Sequence, residues 1–375
     1  MPMNISNSMP IAKYAERKER NPRVAIFDYF ADKDEKPNHG DQVEDIIRRT
    51  TGLEDQFVQN YQNAYSRKTS EDDVFAATES KTQFLDTLRA YTIESVTGFY
   101  DATRQNLQTV MTTERNKVRV VNQSQSQCAA RISRPFVNKI LKDEDFRMKM
   151  KDVFELPARS HIDTVAEAFL NEVQGIFDRS TYIAQSRNQY LETAKKAHDS
   201  GIAHVVTSGN LGRLTAHWEQ NGIDAPQDAY RSVLANDYTT VIGATASQGT
   251  ITTRDDKAAT FTSIYAGTEF SMHGVNVEVA DDDPTKETFS NGTSFSAPQA
   301  TALIYEMFEK NPNLSVPEME NILYKSTIPV SGTKEQVGAG QIDPERAMYL
   351  TEQSKFITGE RFAALADATH SMAAV

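Results

Sequence analysis

Four short runs rich in β-branched residues interrupt a chain whose pattern is otherwise mostly helical. They are RVAIFD (23–28), KVRVVNQSQSQ (117–127), IAHVVTSGN (202–210) and TTVIGATAS (239–247). Between the first two lies DQVEDIIRRT (41–50), a helix with Val43, Ile46 and Ile47 as its apolar positions, then a polar-rich helical stretch over about 51–115. A further strand is expected inside that stretch near Leu88–Ile93. A second helical block covers about 129–200, closed by Gly201. Strands that alternate with helices imply an α/β fold, a mostly parallel sheet covered by helices on both faces.

The remainder of the chain keeps that alternation. Two shorter extended pieces are expected at ATFTSIYAG (259–267) and EFSMHG (269–274). A helix follows over about 297–309, then one opened by the start signal Ser315-Val-Pro-Glu, then a Gly-rich turn into a last helix, GAGQIDPERAMYL (338–350).

Charge narrows the function. Asp and Glu number 52 against 40 Lys and Arg, a net charge of −12. Neutralising phosphates requires a basic surface, so no nucleic-acid partner is expected, and anionic membranes are disfavoured. No run approaches the roughly 20 apolar residues that span a bilayer, so membrane insertion is not expected. The single cysteine, Cys128, cannot form an internal disulfide and is read as a small buried residue. The N-terminus lacks the apolar core of a secretory signal. These features point to a protein of a reducing compartment, cytoplasmic or exported by a route that needs no signal peptide.

Parallel sheets collect reactive groups at the carboxyl ends of their strands. Asp28 ends the first strand, His39 lies just before the first helix, Asn210 follows the third strand, and Ser294 opens a helix after Asn-Gly-Thr. Each has an ordinary reading alone: a turn acid, a surface imidazole, a Gly-Asn turn, a helix N-cap. Asp32 and Asp34 are rival acids, but they fall in a charged loop, whereas an apolar strand fixes Asp28.

In this order the residues resemble the subtilisin-like serine proteases, the subtilases. NGTSFSAP (291–298) is similar to their serine motif, and NHGDQV (38–43) to their histidine motif with its second His missing. SGN (208–210) resembles the turn that supplies an oxyanion-hole Asn, VVNQSQS (120–126) the substrate-binding strand, and GAGQIDPERA the close of the catalytic domain. The resemblance implies a three-layer α/β/α fold over 23–350, with helical insertions within about 51–115 and 129–200. Residues 1–22 are then an N-terminal extension and 351–375 a C-terminal tail.

It also implies roles. Asp28, His39 and Ser294 would form the triad of a serine endopeptidase, acting through an acyl-enzyme, with Asn210 in the oxyanion hole. A polypeptide substrate would lie as an added strand along Val121, Asn122, Gln123, Ser124 and Gln125. Ser208 and Gly209 would wall the pocket for the side chain before the cut. Pro298 is expected in the first turn of its helix, where a missing N–H does no harm.

The family pattern is altered in places. Tyr29-Phe30 stand where small residues are usual, and only eleven positions separate Asp28 from His39. The excess helices are a candidate surface for one protein partner, which implies a narrow substrate range. DDDP (281–284) has calcium chemistry but no clear ligand spacing, and the histidines are scattered; no metal or cofactor is expected. His204, inside an apolar strand, is read as a core residue. Two alternatives stay open: a catalytically lapsed subtilase-fold protein used for binding or assembly, and an esterase or transacylase built on the same triad.

Overall fold

The computed structural model describes residues 23–31, 36–114, 117–248, 256–281, 283 and 285–356. The expected extension 1–22, the rival acids Asp32 and Asp34, most of the tail, and Asp282 and Pro284 of DDDP lie outside those residues.

Eleven strands form among the described residues: β1 (Arg23–Asp28), β2 (Val58–Gln62), β3 (Val118–Gln123), β4 (Ala203–Thr207), β5 (Thr240–Ala246), β6 (Lys257–Ala258), β7 (Phe270–His273), β8 (Val277–Val279), β9 (Thr288–Ser290), β10 (Thr327–Ile328) and β11 (Gln341–Ile342). The main sheet runs β10-β11-β7-β5-β4-β3-β1-β2, with β6 beside β5; β8 and β9 form a separate hairpin. Pairing is parallel from β2 through to β11, and antiparallel only at β10 and β6.

Alternation along the strands divides the core into two layers. Ala25, Phe27, Val121, Val206 and Val241 face α3 (Lys81–Thr113), α4 (Ala129–Lys142), α6 (Ile162–Arg179) and α7 (Thr181–Asp199), with the short α2 (Glu71–Ala76) and α5 (Glu144–Val153) beside them. Val24, Ile26, Val120, Val205 and Ile242 face α1 (His39–Thr51), α9 (Thr293–Lys310), α10 (Val316–Lys325) and α12 (Pro344–Gln353). Helix α8 (Gly212–Gln220) follows β4, and the one-turn α11 (Lys334–Val337) precedes β11. The fold is a three-layer α/β/α sandwich.

Several expectations need correction. No strand occurs at Leu88–Ile93: α3 is one helix of 33 residues, and Phe84, Leu88, Tyr91, Ser95 and Phe99 recur at helical spacing on its buried side. Conversely, β2 forms in a stretch expected to be helical, and it sits at the edge of the sheet. ATFTSIYAG makes buried turns, not a strand; only Lys257–Ala258 pairs with β5 there. The last helix ends at Gln353, so the proposed boundary at 350 falls inside it. The apolar residues of the second helical block, among them Phe136, Val137, Ile140 and Phe146, are packing residues of the core.

His204 is 2% exposed, and its Nε2 hydrogen bonds with the Gln123 amide oxygen at 3.1 Å, while Nδ1 meets no partner. Burial pushes its pKa down to about 3. The unfolded chain protonates this imidazole near pH 6.5. Unfolding is therefore favoured as the pH falls from about 6.5 towards 3, by about 1.4 kcal/mol per pH unit. Urea denaturation between pH 6 and pH 4 is expected to have that much less slope in His204→Gln than in the parent. Equal slopes would show that His204 does not titrate on unfolding.

Candidate active site

The carboxyl ends of β1, β3 and β4 lie side by side, and α1 and α9 begin above them. At this junction the Asp28 carboxylate is fully buried. It accepts from the Tyr29 backbone N–H at 2.8 Å, from His39 Nδ1 at 2.9 and 3.0 Å, and from Gln125 Nε2 at 3.3 Å. A carboxylate can only accept, so Nδ1 carries the proton. In the tautomer with that one proton, Nε2 is the ring's acceptor. The His39 side chain is 33% exposed.

The start of α1 is held rigidly. Asn38 caps the helix, and the Asp41 carboxylate accepts from the backbone N–H of Asn38 at 2.7 Å and of Ala31 at 2.9 Å. The Gly40 N–H bonds the Tyr29 carbonyl at 2.7 Å. A Cβ on Gly40 would lie 2.6 Å from that carbonyl and 2.8 Å from the Phe30 ring. The bulky Tyr29-Phe30 pair is thus accommodated by a glycine, and the short loop still brings Asp28 onto His39. The helix begins at His39 itself, two residues earlier than the sequence reading put it.

Ser294 is the second residue of α9, whose N-cap is Gly292. The helix starts four residues before the expected position, so Ser294 is not a cap. Its hydroxyl donates to the Ser124 carbonyl at 3.1 Å, and the Ser124 hydroxyl donates to the Ser294 carbonyl at 2.8 Å. The early start also corrects the place of Pro298, which lies in the second turn. There it removes the N–H that would have bonded the Ser294 carbonyl, and Ser124 fills the vacancy. Asn122 and Thr301 buttress this pair: Asn122 donates to Ser124 Oγ at 3.1 Å and accepts from Thr301 at 3.0 Å.

Asn210 is fixed by the same helix. Its Oδ1 accepts from the Thr293 N–H at 2.9 Å and the Thr293 hydroxyl at 2.8 Å, and Thr207 donates to that hydroxyl at 2.6 Å. With the oxygen committed, Nδ2 is the donor left over. It faces Gly292, where a Cβ would come within 3.2 Å. The Ser294 N–H belongs to the first turn of an 18-residue helix and so has no partner within the helix. Both donors lie at the positive end of that helix dipole.

Three contacts tie the pieces together. Ser124 touches Ser294, Gln125 touches Asp28, and the His39 ring lies 5.8 Å from that of Phe295, the neighbour of Ser294. Among the hydrogen bonds of Ser294 none goes to His39; the hydroxyl rests on Ser124.

The substrate-facing expectations are only partly compatible with this geometry. β3 pairs with β1 and β4 on both sides and offers no free edge. Val121, Asn122 and Gln123 are fully buried; Gln123 bridges Thr103 and His204 instead of facing a peptide. The pairing stops after Gln123; Ser124 is still buried, and the rim opens at Gln125–Ser126. Ser208 is 1% exposed, with its hydroxyl 3.4 Å from Thr262. Gly209 adopts φ 97° and is hemmed in: a Cβ there would lie 2.9 Å from the Ser126 hydroxyl and 3.0 Å from that of Ser263. Sequence reasoning missed Thr207, Thr293 and Ser263 as site residues, although Thr293 precedes Ser294 in the quoted motif; Ser126 lay at the end of the quoted substrate-binding run.

Cys128 is buried as expected; its sulfur accepts from the Arg131 N–H at 3.4 Å, and burial pushes the thiol pKa up to about 11, so it is inert. Among the described residues no cluster of His, Cys, Asp and Glu has the makings of a metal site, and no helix is long and apolar enough to cross a membrane.

Comparison with known proteins places this geometry in context. No curated protein sequence matches the chain. Among solved structures, it is similar to the prenylagaramide maturation protease PagA, with 13% identity, 90% of this chain and 97% of that one covered, and a TM-score of 0.47. It is also similar to the epidermin leader peptide processing serine protease EpiP from Staphylococcus aureus, with 12% identity, 93% and 79% covered, and a TM-score of 0.46. A chain of the subtilase cytotoxin SubAB gives 12%, 92%, 94% and 0.49. At such identities and scores the assignment rests on another finding. The sequence model of the subtilase family matches residues 80–341, a span that holds Asn210 and Ser294 and leaves out Asp28 and His39. On that match over most of its length, the chain belongs to the subtilase family.

Proposed function

We propose that the protein is a serine endopeptidase in which Ser294 is the nucleophile, His39 the general base and acid, and Asp28 the group that orients His39. The observation that carries this reading is the Asp28–His39 pair. A carboxylate with no exposure holds Nδ1 and leaves Nε2 free, and the His39 ring lies 5.8 Å from that of Phe295, the residue after Ser294 at a helix start.

The chemistry follows from those atoms. Ser294 Oγ bonds to the scissile carbonyl carbon while its proton passes to His39 Nε2. The charge that develops on the carbonyl oxygen is met by Asn210 Nδ2 and the Ser294 N–H, both fixed beforehand. His39 returns the proton to the leaving nitrogen as the C–N bond breaks, which leaves an acyl-enzyme. Water, deprotonated by His39, then releases the acid and restores Ser294. Asp28 stays ionised throughout and stabilises the imidazolium.

The resting hydroxyl must first leave the Ser124 carbonyl. An extended peptide laid beside Ser124–Gln125 presents a backbone N–H to that carbonyl. Substrate thereby takes the acceptor from Ser294 and turns its hydroxyl towards His39. The contact of Ser126 with Gly209 supports a shallow pocket for the residue before the cut, suited to Gly, Ala or Ser, and hence a narrow substrate range.

Cleavage of a diverse peptide pool tests both points. Ser294→Ala and His39→Ala are expected to lose about 10⁴-fold or more in turnover. Asn210→Ala is expected to lose about 10²–10³-fold in kcat. Full activity in Asn210→Ala would remove it from the oxyanion site. In Ser126→Gly, peptides with larger side chains before the cut are expected to become substrates; an unchanged preference for small residues would refute the role of Ser126.

A further inference from the structure

β1 stops at Asp28, while its two neighbours run on as loops, β2 through Asn63–Arg67 and β3 through Ser124–Gln127. The two continuations flank a gap one strand wide, about 9–10 Å across from the usual strand spacing. Side chains face one another over it: Asn63 Nδ2 donates to Gln125 Oε1 at 2.6 Å, and Gln127 Nε2 to the Tyr65 hydroxyl at 3.3 Å. Tyr29, 42% exposed, forms the floor where β1 ends.

Two guanidinium groups border this slot. Arg131 donates to the Ser126 carbonyl at 3.1 Å. Arg67 donates to Ser95 Oγ at 3.1 Å and lies 4.9 Å from the centre of the Tyr91 ring. Burial, then Tyr65, raises the Tyr29 hydroxyl above its ordinary pKa, while Arg131 and Arg67 act in the opposite sense. Both cations are therefore within electrostatic reach of the Tyr29 oxygen. Among the described residues neither forms an ion pair. Carboxylates of the neighbouring elements have other partners: Asp28 holds His39, and Glu94 accepts from the Lys68 and Thr69 amides at 2.8 Å. In a chain with twelve more acids than bases, two cations without a carboxylate partner beside the candidate cleft call for an anionic ligand.

We propose that Arg67 and Arg131 are specificity-determining residues that bind an Asp or Glu side chain of the substrate, two to three residues before the scissile bond. The inference rests on the peptidase reading and names the substrate class of that same site. The position follows from the strand repeat. The Ser124 carbonyl lies against the nucleophile, and the Ser126 carbonyl that Arg131 touches is two residues on, about 7 Å in an extended chain. A guanidinium offers paired donors that match a carboxylate, and the Tyr29 and Tyr65 hydroxyls border the same space.

The test uses the full chain and a set of peptides that differ only in one Glu, moved along the sequence or replaced by Gln. Two readouts are taken: kcat/KM with the parent enzyme, and binding of fluorescent peptides to Ser294→Ala, which needs no turnover. With Glu two or three residues before the cut, kcat/KM and affinity are expected to exceed the Gln peptide by about five- to tenfold. In Arg67→Glu/Arg131→Glu the preference at that position is expected to invert in favour of Lys, and Arg131→Lys should restore part of the preference for Glu. Equal binding of the Glu and Gln peptides by Ser294→Ala overturns the proposal whether or not peptides are cut. A preference for Glu in binding with no cleavage by the parent enzyme supports the acidic site and removes the peptidase reading instead.

Discussion

Parallel pairing of β1, β3 and β4 is the constraint on which the site depends. It sets Asp28, Ser124 and Ser208, which are far apart in the chain, at the same end of neighbouring strands. Each strand then passes its chain into a loop on one side of the sheet, and α1 and α9 return from there with their N-termini at the site. A carboxylate, an imidazole, a hydroxyl and an amide thus meet without a long-range tether such as a disulfide. What fixes each of them is a backbone group or a buried partner: the Tyr29 N–H on Asp28, the Asn38 cap below His39, Thr293 on Asn210.

The exchange of hydrogen bonds between Ser124 and Ser294 links this scaffold to its chemistry. Pro298 frees a carbonyl inside α9, and the Ser124 hydroxyl satisfies it; the Ser124 carbonyl in turn holds the Ser294 hydroxyl. A buried carbonyl left alone costs about 1–3 kcal/mol, so the pair stabilises the helix start as well as fixing the Ser294 hydroxyl. The same pair explains why no hydrogen bond joins Ser294 to His39 in this structure. Catalytic hydrogen bonds commonly tighten only in the complex.

Much of this was legible in the sequence, and the parts that were not have physical reasons. β1, β3, β4 and β5 are buried on both faces, so their β-branched runs stand out, and the three-layer fold follows from them. β2 is an edge strand, VQNYQ, with only Val58 buried, and its polar residues hide it among helical sequence. The segment Leu88–Ile93 has strand-like residues locally, yet burial at helical spacing from Phe84 to Val110 of α3 decides for helix. Asn210 and Ser294 carry motif signals. The orientation of the Asn210 amide and the partner of the Ser294 hydroxyl depend on Thr293 and Ser124, contacts made across 83 and 170 positions, and no local pattern encodes them. Helix α9 was expected to begin near Pro298 because proline favours a first turn; Gly292 and the Thr207–Thr293 bond start it earlier.

The central claim is that Ser294 is a nucleophile activated by the His39–Asp28 pair. The most direct measurement is reaction with a fluorophosphonate, read by intact mass and by mapping of the modified peptide. One adduct on Ser294 is predicted, absent from Ser294→Ala and formed at least about 10³-fold more slowly in His39→Ala. An adduct on another residue, or labelling of Ser294→Ala at the parent rate, would contradict it.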